Sequence, residues 1–167
     1  MNFDKLDISS KAQRDQLIEE ITLKGKQFEL YDAIKNHDDN HGNRLAWVLC
    51  TLCDDNYEWL NQKVDDIIVW LPKVKTTGII RSMLRAVNQC DLSKKSEGEW
   101  IDFLFQSLTN MENPIAVKVH AMELLSRYCT IYPELSNELI IILEDALPYY
   151  SAAGKVRAKR ILNRLKK

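Results

Sequence analysis

Several short stretches of this sequence carry residue types whose spacing could do chemistry. His37-Asp38-Asp39-Asn40-His41 packs five potential ligands into one link, and two imidazoles four residues apart could hold a divalent metal. Asp, Asn and the following Gly42 are also what an inter-helix turn and N-cap require. Asp39 or Asn40 is therefore expected to accept from the first free amides of the next helix, and no metal is expected. Cys50 and Cys53 form a C-x-x-C, but inside the almost unbroken apolar run Leu45–Cys53, without a βαβ context or a second C-x-x-C. With Cys90 and Cys129 they read as reduced, buried small hydrophobes. Asp54-Asp55 and Asp65-Asp66 are adjacent pairs, and neighbours on a helix point about 100° apart, so neither pair converges on one substrate atom. His120 has no Ser or Cys nucleophile placed near it by the pattern. No glycine-rich phosphate loop, H-E-x-x-H or G-x-S-x-G occurs. The expectation is a protein that is not an enzyme, with no catalytic residue, no metal and no cofactor.

What remains is the chemistry of recognition, carried by Trp and Arg. Of Trp47, Trp59, Trp70 and Trp100, two lie within the apolar pattern of residues 57–71, and core use is expected for all but Trp47. The formal net charge of −1 hides a split. Residues 151–167 hold seven basic side chains and no acid, which leaves 16 basic and 24 acidic residues, or −8, for residues 1–150. An acidic body opposes extended contact with phosphates, and the basic end also suits the C-terminal dipole of a last helix. The opening ten residues include Asp4, Lys5 and Asp7 where an export signal needs an apolar run, so a cytoplasmic location is expected.

The elements that must hold these residues are helices. Five Gly and four Pro are too few turn-formers for an all-β chain of 167 residues. Hydrophobic periodicity places helices at 10–24, 26–36, 41–54, 57–71, 76–90, 97–110, 114–131, 134–147 and 151–166. Pro72, Asn113-Pro114, Pro133 and Pro148 mark breaks between them. One stripe recurs: Leu45, Val48, Leu49 and Leu52; Ile80, Met83, Leu84 and Val87; Val117, Ala121, Leu124, Leu125 and Tyr128; Ala158, Ile161, Leu162 and Leu165. The spacing of roughly 37–41 residues suits HEAT and armadillo arrays better than shorter helical repeats.

Asn113-Pro114-Ile115-Ala116-Val117-Lys118-Val119-His120-Ala121-Met122-Glu123-Leu124-Leu125 resembles the second-helix pattern of the HEAT-like (armadillo-type) α-solenoid family, with looser copies at 44–52 and 156–165. The resemblance extends to a group of short bacterial HEAT-like proteins of no assigned role. It implies an all-α, right-handed α-α superhelix: one domain over residues 1–167, with a capping segment at 1–25 and four helix-pair repeats over 26–166. Some such relatives bear the name adenylosuccinate lyase. This chain lacks the G-S-S-x-x-P-x-K-x-N loop of that superfamily and is too short for its long bundle.

In such an array the second helices line the inner surface, each with a polar stripe beside its core stripe. Arg44 and Trp47 fall in the first row, Arg81 and Arg85 in the second, Glu123 and Arg127 in the third, and Arg160 and Arg164 in the fourth. An Arg-rich groove edged by Trp47 suits an anionic segment of a protein partner, which points to a non-catalytic adaptor or scaffold that binds no membrane. The rival is a nucleic-acid protein similar to HEAT-like DNA alkylation-repair glycosylases, although no catalytic Asp of that family matches a position here. A competing use of the arginines is pairing with acids of neighbouring repeats. Leu125 is expected in the inter-repeat core and Glu123 beside it in solvent.

Overall fold

The computed structural model describes residues 1–167, with nine α-helices, short 3-10 turns and no strand. It comprises two compact units, Met1–Asp91 and Leu92–Lys167.

In the first unit a 3-10 turn at Phe3–Lys5 precedes α1 (Lys11–Lys24), α2 (Gln27–Lys35), α3 (Asn40–Asp55), α4 (Val64–Trp70) and α5 (Thr77–Val87). Ser10 starts α1 with a capping box: its Oγ accepts from the Gln13 amide at 3.2 Å, and Gln13 Oε1 accepts from the Ser10 amide at 2.8 Å. Gly25 ends it in the left-handed conformation (φ 62°), which a side chain would resist. Helix α3 is the hub, packed against α1, α2 and α5. Leu45, Leu49, Ile79, Met83 and Leu84 are wholly buried, each contributing roughly 1.5–3 kcal/mol through removal from water.

The expected helix over 57–71 is α-helical only from Val64. Glu58–Lys63 forms a 3-10 segment, and a second 3-10 turn, Leu71–Lys73, closes at Pro72. Within the tighter segment the Asn61 side-chain Oδ1 accepts from the Asp91 amide at 2.8 Å, anchoring the chain as it leaves α5.

The second unit holds α6 (Glu97–Thr109), α7 (Ile115–Tyr128), α8 (Leu135–Ala146) and α9 (Ala152–Leu165). Helix α7 packs against α6, α8 and α9, burying Val117, Ala121, Leu124, Leu125 and Tyr128. Ser151 caps α9 by accepting from the Gly154 amide at 3.3 Å. Tyr128 Oη donates to the Ser93 carbonyl at 3.2 Å, and Tyr132 bonds Glu97, so the loop entering α6 is held from the end of α7. No helix is long and apolar enough to cross a membrane.

Candidate functional site

Helices α3 and α5 run as neighbours in the first unit and carry most of the residues expected to bind a partner. Arg44 is exposed near the start of α3, and Trp47 lies half-buried one turn on. The Trp47 face is occupied from within the chain, because the Arg14 guanidinium sits 4.8 Å from the ring centroid. Arg14 is fixed there by donating to the carbonyls of Ile8 (3.1 Å) and Ser9 (2.9 Å). On α5, Arg81 and Arg85 are both exposed, one turn apart. They are not equivalent. Arg85 Nη2 donates to both oxygens of Asp54, at 2.8 and 2.5 Å, whereas Arg44 and Arg81 make no ion pair.

The second unit arranges its charges differently. Glu123, on α7, is 18% exposed and accepts from three arginines of α9: Arg157 at 3.1 Å, Arg160 at 3.3 Å and Arg164 at 3.1 Å. Arg164 also donates to Ser126 Oγ at 2.5 Å. Burial pushes the Glu123 carboxyl up, but the bonds from Arg164 and Arg157 outweigh it and hold the acid below its ordinary range. Glu123 is thus a half-buried hub for the basic terminal helix, where the sequence pattern expects a solvent-facing acid. Arg127 lies half-buried in the last turn of α7, where a cation suits the helix dipole.

The residues with metal-ligand or acid–base chemistry have other partners. His37 Nε2 lies 3.0 Å from Asp4 and His41 Nε2 2.8 Å from the Phe3 carbonyl, so the two rings, 5.1 Å apart, clasp the N-terminal turn. Asp39 caps α3 through the Gly42 amide at 2.9 Å. Asp38 does something the local pattern gives no sign of: it takes the amides of Lys75 (2.9 Å) and Thr76 (2.8 Å) at the start of α5.

Asp66 accepts from Tyr31 Oη and Lys35 Nζ, both at 2.6 Å, while the Trp70 indole donates to Tyr31 Oη at 2.7 Å. This closed network joins α2 to α4. All four cysteines are buried thiols, none in a disulfide. Burial pushes the Cys50 thiol up to about 11 and Cys53 higher still, so neither is a thiolate at neutral pH.

Trp100 is buried and stacked on Phe103 at 5.3 Å, and Trp59 meets Phe28 edge-on at 5.4 Å. Trp100 is a core residue, as expected, whereas Trp59 and Trp70 are only half-buried.

The family model of the HEAT repeat domain matches residues 5–165. No curated protein and no solved structure matches the chain.

Proposed function

The chain belongs to the HEAT repeat domain family, whose repeats generally mediate protein–protein interaction, and on that premise we propose a non-catalytic adaptor that binds an anionic segment of a protein partner. The observation that carries the reading is Arg81: a guanidinium exposed on α5 without an ion pair, in a unit whose other α5 arginine is neutralised by Asp54. Arg44, exposed and unpaired on the adjoining α3, supplies a second fork for carboxylate or phosphate oxygens. Trp47, half-buried with Arg14 over its face, adds an apolar contact on α3. Arg85 contributes less, because binding there must compete with Asp54. In the second unit Glu123 serves to orient the α9 arginines.

A glutamate-rich peptide is a suitable probe. Arg44→Glu with Arg81→Glu is expected to weaken its binding by at least about thirtyfold, near 2 kcal/mol, with little change in melting temperature. Charge reversal of Lys166 and Lys167 is expected to leave binding intact. Tight, salt-sensitive binding of a duplex oligonucleotide that is lost with the Lys166 and Lys167 reversal would instead favour the nucleic-acid reading.

A further inference from the structure

Three guanidinium groups of α9 gather at one point of the second unit, and the chain sets only one acid against them. Arg157, Arg160 and Arg164 follow at i, i+3 and i+7, so α9 carries them along one face. All three reach the carboxylate of Glu123, at 3.1 to 3.3 Å, and no other acid pairs with them. Three cations less one anion leave the cluster two positive charges. A single pair would tie α9 to α7, and each further arginine adds like-charge repulsion that Glu123 leaves uncancelled.

The cluster is both fixed and open. Glu123 is 18% exposed, whereas the side chains of Arg157, Arg160 and Arg164 are 39%, 59% and 48% exposed, so a second anion can reach them. One nitrogen of each guanidinium is engaged, Nη1 of Arg157 and Nη2 of Arg160 and Arg164. A guanidinium carries five N–H donors in a rigid fork, so most remain for another acceptor. Buried Ser126 accepts from Arg164 and donates to the Glu123 carbonyl at 2.8 Å, which holds that fork in place without adding charge.

The arrangement narrows the anion. A phosphodiester backbone strings single charges along a line and calls for a track of basic side chains, whereas these three converge on one residue. Residues 1–150 sum to −8 and oppose such a track. A carboxylate brings one charge on two oxygens. A phosphomonoester brings about −1.5 to −2 on three acceptor oxygens at neutral pH, which matches two positive charges offered by three forks.

We propose that Arg157, Arg160 and Arg164 form a site for a phosphomonoester dianion, with Glu123 and Ser126 holding the forks in register. The same group is carried by a phosphorylated side chain of a protein and by a small organic phosphate.

The test uses the full chain and titration calorimetry at about 150 mM salt, where exposed charges more than ~8 Å apart are largely screened. The probes are phenyl phosphate and a short peptide carrying phosphoserine, compared with the same peptide bearing Ser or Glu and with a short single-stranded DNA. Phenyl phosphate or the phosphopeptide is expected to bind, whichever is tighter identifying the source, and the Ser peptide, the Glu peptide and the DNA to bind at least about tenfold more weakly. Arg160→Gln alters the most exposed of the three, so it is expected to melt as the parent does and to lose about tenfold in affinity, as for a hydrogen bond to a charged group. Lys159→Gln removes the same charge one residue away, outside the cluster, and is expected to change affinity by less than about twofold. Arg44→Glu with Arg81→Glu, in the other unit, is expected to leave it unchanged. Equal binding of the phosphoserine and Glu peptides, tighter binding of the DNA, equal losses in Arg160→Gln and Lys159→Gln, or no binding of any probe at millimolar concentration overturns the proposal. So does phosphate binding that survives Arg160→Gln and is lost in Arg44→Glu with Arg81→Glu, a result that leaves the reading of the first unit standing.

Discussion

The Asp38 carboxylate accepts the backbone amide of Thr76, 38 residues further along the chain, at 2.8 Å, and so pins the N-cap of α5 and not that of its own following helix. With the Lys75 amide it satisfies two backbone donors of the link that leads into α5. Asp38→Ala is expected to cost about 1–2 kcal/mol in chemical denaturation, and Asp38→Asn less. Burial raises the Asp38 carboxyl while the amides of Lys75 and Thr76 lower it further, so its folded pKa lies below the unfolded value. The sign follows: its contribution is present above the ordinary carboxylate range and is lost as pH falls through the depressed pKa. An Asp38→Ala protein whose acid unfolding matches the parent refutes this.

His37 predicts the opposite pH dependence at the N-terminal turn. Its hydrogen bond to Asp4 raises its pKa, burial opposes, and the charge of Asp39 adds to the rise. The contribution is therefore complete below the ordinary histidine pKa and is lost as pH climbs through the raised one. Amides of Phe3–Leu6 should exchange faster with solvent at mildly alkaline than at mildly acidic pH, beyond the intrinsic pH effect. His37→Gln should remove the difference.

Two glycines at helix starts should respond to alanine with opposite signs. A Cβ on Gly42 would overlap the His37 carbonyl oxygen, a backbone atom that cannot step aside. Gly42→Ala should destabilise by about 1–3 kcal/mol, overriding the gain of up to about 1 kcal/mol that alanine brings to a helix. A Cβ on Gly98 meets nothing within 4 Å, so Gly98→Ala should stabilise by up to about 1 kcal/mol. Melting temperatures moving in the same direction would count against this account of the tight turn before α3.

Leu125 and Glu123, two positions apart on α7, should both matter, for different reasons. Leu125 is wholly buried, and Leu125→Ala should cost about 2–5 kcal/mol. Glu123→Ala leaves three arginines without their common acceptor and should cost about 1–2 kcal/mol, the arginines being well solvated. Raising salt should shrink the second cost and leave the first nearly unchanged.

How much of this was legible in the sequence depends on the range of the interaction. The apolar stripes set the helices and their buried faces, because a 3.6-residue period is written locally: Val117, Ala121, Leu124, Leu125 and Tyr128 all lie in the core. The 3-10 start of the segment at Glu58 was not legible, since its apolar pattern serves either helix. Nor were the partners of Asp38, Glu123 and Trp47. Asp38 reads as a local turn residue, and nothing in its neighbourhood points to an amide one repeat away. Glu123 has the spacing of an outward-facing residue, and only the arrival of α9 encloses it. Arg14 lies on α1, and no local spacing points to its reach across to Trp47.

The ties of each unit share a chain separation of about one repeat: Tyr31 to Asp66 spans 35 residues, Asp54 to Arg85 31, Ser93 to Tyr128 35 and Glu123 to Arg160 37. Closing a loop of such length costs little more entropy than closing a shorter one, because the cost grows only with the logarithm of length. Each helix pair can therefore dock as soon as its predecessor exists, during synthesis as readily as during refolding. Gene duplication acts on the same unit: copying one whole repeat adds a set of ties without stretching any that already exist. A chain joined in this way can change its length over evolutionary time while each junction keeps its stereochemistry.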